Sequence, residues 1–117
     1  MNIALWIIQG VLALAFLMGG MMKAFQVEKV KSSMPWAQDY SKGMINFIGW
    51  SELLGAIGLI VPFAADVAPV LTSIAAIALA VVMVLAAGVH AKRKENQAVF
   101  MNVIFIVLLV IVAIGRW

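Results

Sequence analysis

Cysteine is absent from this 117-residue chain, histidine occurs once, and only five acids and eight bases are present. Without cysteine there is no disulfide framework, and no thiol-based redox or nucleophilic chemistry in the chain. One histidine and scattered acids assemble no metal-ligand set by spacing. No glycine-rich phosphate loop follows a strand, because no segment reads as a strand. Charged residues make up 11% of the chain and hydrophobic ones 66%, against roughly 25% and 45–50% in a soluble domain. A water-soluble fold of this size has too few charges to cover that much apolar side chain. The net charge of +3 does not point to nucleic acid. The bases flank apolar runs, where they set orientation and meet lipid head groups.

What the chain has in abundance is uninterrupted apolar sequence. Four runs, residues 3–22, 45–63, 70–89 and 98–114, are long enough, or nearly so, to cross a bilayer; about 20 residues at a rise of about 1.5 Å span the hydrocarbon layer. The first run reads as a retained helix rather than a signal peptide. Residues 1–5 carry no Lys or Arg, and no small-residue cleavage site follows. Four such helices consume most of the chain, so the expectation is one all-α domain, a transmembrane four-helix bundle. Short connections at 64–69, closed by Pro62 and Pro69, and at 91–97 make sequential helices antiparallel, in up-down-up-down order.

Lys and Arg divide seven to one. Lys23, Lys29, Lys31 and Lys42 lie between the first two runs, Lys92, Arg93 and Lys94 between the last two, and Arg116 alone lies at the other end. The positive-inside rule places both basic loops in the cytoplasm and both termini outside. In the first basic loop, Ser33 before Met34-Pro35-Trp36 is a helix-start signal and Gly43 a stop. A short interfacial helix is predicted over 34–42, with Trp36 and Tyr40 on one face.

Glu52 is the one ionisable residue well inside any run. A charged carboxylate there costs roughly 2.5–3.5 kcal/mol or more, so it is expected to face other helices and to have a use. Helical periodicity groups it with the other polar residues on inward stripes. Gln9, Phe16, Gly20 and Lys23 share a face of the first helix; Gly49, Glu52 and Ala56 share one of the second. Ala76, Met83 and His90 align in the third, and Asn102, Leu109, Ala113 and Arg116 in the fourth. The predicted geometry is a polar pocket opening toward the cytoplasm, with Glu52 at its floor and Gln9, Lys23, His90 and Asn102 as further ligand-binding or proton-carrying candidates. Glu52 is expected in its neutral form, since Lys23 is about two helical turns nearer the cytoplasm. Each candidate has a plainer role too. Glu52, Gln9 and Asn102 can hydrogen-bond helices together, Lys23 can snorkel to the interface, and His90 can be solvated. Trp6, Trp36 and Trp117 read as interfacial anchors, while Trp50 lines the pocket or faces lipid. Gly49, Gly55 and Gly58 offer close approach either to a second copy, which would make a homodimer, or between helices of one protomer.

The segment 52–62, ELLGAIGLIVP, resembles the second-helix pattern of the DoxX-like membrane protein family. The segment 16–25, FLMGGMMKAF, is similar to that family's first-helix ending, and His90, the basic turn after it and the closing Gly115-Arg116 are similar as well. The resemblance covers essentially the whole chain and implies a four-helix integral membrane protein, with Lys23, Glu52 and His90 as positions to watch. Some members are linked to membrane oxidoreductase complexes, including a thiosulfate–quinone oxidoreductase subunit, and a distant animal relative is a receptor-assembly chaperone. Three functions compete. The first is an accessory subunit of a membrane oxidoreductase that binds a lipophilic ligand such as a quinone. Protonated Glu52, Lys23 or His90 would supply donors to the quinone carbonyls. The second is a proton-coupled exporter resembling the small multidrug resistance family, whose glutamate however lies in the first helix. The third is a scaffold or assembly factor. No nucleophile, metal cluster or cofactor motif marks an autonomous enzyme.

Overall fold

In the computed structural model, residues 2–66 and 70–117 are described, apart from the Asp39 side chain. The apolar runs become α1 (Asn2–Phe25), α3 (Lys42–Ala64), α4 (Val70–Lys92) and α5 (Asn96–Gly115); a short helix α2 (Val27–Ser33) and a 3-10 turn (Pro35–Asp39) link α1 to α3. All four long helices are apolar and long enough to cross a membrane. The molecule measures 40 Å along its longest axis, close to the roughly 40–45 Å of a bilayer with its head groups.

Each long helix packs on its neighbours in sequence, and α5 closes the ring against α1 through the narrowest seam. The antiparallel order follows from cross-helix pairs. Gln9 near the start of α1 meets Leu59 near the end of α3, and Gly115 at the end of α5 abuts Leu5. Both chain ends thus lie at one end of the bundle, here the terminal end; the basic loops lie at the other, the basic end. Leu12, Phe16, Leu59, Leu79, Met83 and Leu109 fill the core, while Ile, Leu and Val residues remain exposed around the circumference, as lipid contact requires.

A short helix does link the first two membrane helices, but its bounds differ from the predicted 34–42. α2 begins earlier, after the non-helical Gln26 (φ −129°, ψ 47°), and Pro35 opens only a 3-10 turn. Ser33 does not cap it, since its hydroxyl bonds back to Lys29 O at 2.6 Å. Gly43 is no stop either, because Ser41 caps α3 by accepting from Met44 N at 3.1 Å, the common role of serine before a helix. This linker segment has a small core of its own, Val30, Ala37 and Ile45, flanked by Met22, Trp36 and Tyr40. Lys31 Nζ ties to Tyr40 O at 2.6 Å, and Glu28 pairs with Lys42. The hydrogen bond and charge of Lys42 hold the Glu28 carboxyl below its ordinary value.

Pro62 does not close the connection after α3, since the helix runs on to Ala64. Pro69 lies outside the described residues. At the far end of α4, Lys94 takes a left-handed conformation (φ 59°), and Lys94 N→Ala91 O and Glu95 N→His90 O bonds close the helix. That bond pattern is the Schellman ending, and it carries α4 through His90 and turns Glu95 back over it.

Candidate functional site

Glu52 is 3% exposed and points inward. Lys23 Nζ donates to its Oε1 at 2.6 Å, forming an ion pair between α1 and α3. The expected gap of two turns is closed by side-chain direction. Helical side chains lean toward their own N-termini, so in an antiparallel pair Lys23 leans toward mid-bundle and Glu52 toward the basic end. Close backbones complete the approach. A Cβ at Gly20 would fall 2.9 Å from Gly49 O, and one at Gly49 only 2.4 Å from Ala24 N. With its amide turned so that nitrogen faces these carbonyls, Asn46 donates to Lys23 O and Ala24 O at 3.0 Å each. Of the four residues grouped with Glu52 around the expected pocket, the one that bonds it is therefore Lys23.

The predicted open pocket is also corrected. Trp36 lies across the basic end, its ring centroid 5.7 Å from Lys23 Nζ and 6.4 Å from the His90 ring, so the ion pair is roofed rather than open. His90 does not reach Glu52; its Nδ1 pairs with Glu95 Oε1 at 2.8 Å. Trp36 and Tyr40 pack edge to face at 6.0 Å. Trp50 is 49% exposed and packs against Phe25 on the bundle's outside, ring centroids 5.1 Å apart. Two cavities lie away from Glu52. One is an apolar groove of about 820 Å³ along α4 and α5, with Ala76, Ala80 and Ala113 among its lining. The other is a cleft of about 520 Å³ at the α1–α2 elbow, bordered by Gln26 and Asn46.

Asn102 is buried, and its Nδ2 finds no hydrogen-bond partner. Phe105, one turn from it, packs on Phe16 with centroids 5.7 Å apart; Gly19, one turn beyond Phe16, faces Glu52 Oε2. Asn102 thus occupies the layer of Glu52 without bonding it. Gln9 belongs elsewhere. Its Nε2 donates to Leu59 O at 2.7 Å and its Oε1 accepts from Arg116 Nε at 2.6 Å. Arg116 also donates to Asn2 Oδ1 at 2.6 Å, with its guanidinium 4.0 Å from the Phe63 ring centroid.

The five candidates therefore separate. Lys23 and Glu52 form the centre, Asn102 shares their layer, His90 stands behind Trp36, and Gln9 joins a second polar group at the terminal end. Sequence reading missed Trp36 as a roof and Arg116 as a buried partner. Arg116 carried a legible signal, since it falls on the same inward stripe as Asn102. Of the two uses open to the glycines, the structure shows the one within the protomer: a Cβ at Gly55 would fall 2.6 Å from Leu79 Cδ2, and one at Gly58 2.7 Å from Ala75 Cβ. Among the described residues, no group of three or more His, Cys, Asp or Glu is placed to hold a metal.

The sequence profile of the DoxX-like family matches residues 7–112. No curated protein and no solved structure matches the chain.

Proposed function

The chain belongs to the DoxX-like family, and from that premise and the site geometry we propose that it binds a small lipophilic carbonyl compound of the quinone class between Lys23, Glu52 and Asn102. In this reading it serves as an accessory subunit of a membrane oxidoreductase, with its termini outside and its basic loops in the cytoplasm. The observation that carries the reading is the buried Lys23–Glu52 pair with an unpartnered donor, Asn102 Nδ2, in the same layer. An ammonium has three N–H donors, so one bonded to Glu52 can still donate to a ligand carbonyl. A buried polar atom without a partner costs free energy that a ligand acceptor would recover. The ligand's apolar body and tail suit the surrounding Phe16 and Phe105, and the narrow α1–α5 seam is its path from lipid.

Proton-coupled export is the weaker reading, because it needs a carboxylate that alternates in access, whereas Glu52 is tied to Lys23 and roofed by Trp36. The scaffold reading needs no ligand at all. Titration of the detergent-purified protein with a short-tailed benzoquinone, read by tryptophan quenching, separates these readings. Saturable quenching is expected, with apparent Kd at least about tenfold weaker in Lys23→Met, a charged hydrogen bond being worth roughly 1.5–3 kcal/mol. Quenching that rises linearly and equally in both proteins reports partition into the micelle and refutes the proposal.

A further inference from the structure

The terminal end of the bundle holds a second polar layer that the reading above does not use. Arg116 is 8% exposed. Three of its N–H groups are engaged, all by neutral oxygens of Gln9 and Asn2. A guanidinium has five N–H donors, so two remain. Among the described residues no carboxylate pairs with it; Asp66, the acid nearest this end in the chain, is exposed and in no ion pair. One face is covered by Phe63, with Trp6 5.2 Å away. A buried cation ordinarily needs a counter-charge, and cation–π contact supplies only part of that compensation.

Thr72 Oγ1 and Ser73 Oγ are buried, in residues 0% exposed, and neither has a hydrogen-bond partner. Both sit in the first turn of α4, where backbone N–H groups and the helix dipole favour negative charge. The packing register places them at the level of Arg116. Ala76 and Ala113 line one groove between α4 and α5, and one turn further toward the terminal end on each helix lie Ser73 and Arg116. Gln9, Leu5 and Phe63 contribute to the same layer from α1 and α3. An unbalanced guanidinium, two orphaned hydroxyl donors and the first turn of a helix thus share one layer at the terminal end of the ring.

We infer that this layer is an anion site, taking an oxyanion such as a phosphate group through Arg116, Thr72 and Ser73. The phosphate can be free or part of a lipid head group, because Arg116 stands at the end of its helix, at the level of the bilayer surface. The site is independent of the Lys23–Glu52 centre, and either can fail without the other.

The test uses the full chain in detergent, with thermal unfolding followed by circular dichroism as inorganic phosphate replaces chloride at constant ionic strength. A parallel arm adds phosphatidylglycerol to micelles of a phosphate-free maltoside detergent. The unfolding midpoint is expected to rise saturably with one of the two probes, as for any ligand that binds only the folded state. A phosphate response in detergent assigns a free oxyanion, and a response confined to phosphatidylglycerol assigns a head group. The paired substitution Thr72→Val/Ser73→Ala removes both hydroxyls with little change in volume. It should unfold no earlier than the parent without anion, and respond with an apparent Kd at least about tenfold weaker. The inference is overturned by a parent protein that neither probe shifts, or by a paired variant that responds as the parent does. In the second case Arg116 and the hydroxyls serve packing alone.

Discussion

Replacing Gly49 by alanine tests the contact that brings Lys23 to Glu52. The new Cβ would fall 2.4 Å from Ala24 N and 2.7 Å from Lys23 C, backbone atoms that no rotamer change can move. Restoring an ordinary contact of 3.4 Å or more requires α1 and α3 to part by about 1 Å. Overpacking of this kind costs roughly 1–3 kcal/mol. The same movement stretches the 2.6 Å Lys23–Glu52 bond beyond hydrogen-bonding range and forfeits part of its roughly 1.5–3 kcal/mol. Alanine's helix propensity returns about 1 kcal/mol, which leaves a net destabilisation of about 1–4 kcal/mol. Gly10→Ala is the control, since a Cβ there meets nothing within 4 Å, and propensity alone should leave it neutral or more stable by up to about 1 kcal/mol. Unfolding by sodium dodecyl sulfate in mixed micelles, followed by circular dichroism, measures both. If Gly49→Ala proves as stable as Gly10→Ala, the close α1–α3 approach is wrong, and with it the reason given for the ion pair.

Glu52→Leu leaves a buried ammonium without its acceptor and should cost about 3–5 kcal/mol, whereas the double variant Lys23→Met/Glu52→Leu should return to within about 1 kcal/mol of the parent or exceed it. Additive losses in the same unfolding assay would show that the two residues do not interact. Because the chain lacks cysteine, single cysteines report orientation cleanly. An impermeant thiol reagent on intact cells should label Asp66→Cys and spare Lys94→Cys, and the reverse pattern would invert the topology.

The four membrane helices were legible because their signal is local and redundant: twenty apolar residues in a row have few other solutions. The inward stripes were legible for the same reason, since periodicity alone put Gln9, Glu52 and Asn102 on buried faces. The linker between α1 and α3 was less so. Its turn signals at Ser33, Pro35 and Gly43 were read in isolation, while the Val30, Ala37 and Ile45 core that organises it joins residues from three separate elements. Within the site, stripe membership told which residues face inward but not which of them meet.

Length, apolar content and the seven-to-one distribution of bases thus determined by themselves that this is a four-helix membrane protein with a carboxylate facing its interior. The tertiary structure decided the pairings. Depth along a helix can be counted in sequence, but the register between two helices is set by where their backbones touch. Here that depends on Gly20 meeting Gly49 and on Gly55 and Gly58 meeting Leu79 and Ala75. From that register it follows that Lys23 bonds Glu52, that His90 is held by Glu95 behind Trp36, and that Gln9 turns away to Arg116. Side-chain periodicity repeats every few residues, whereas these contacts join residues about 20 to more than 100 positions apart, a distance at which no local pattern carries information.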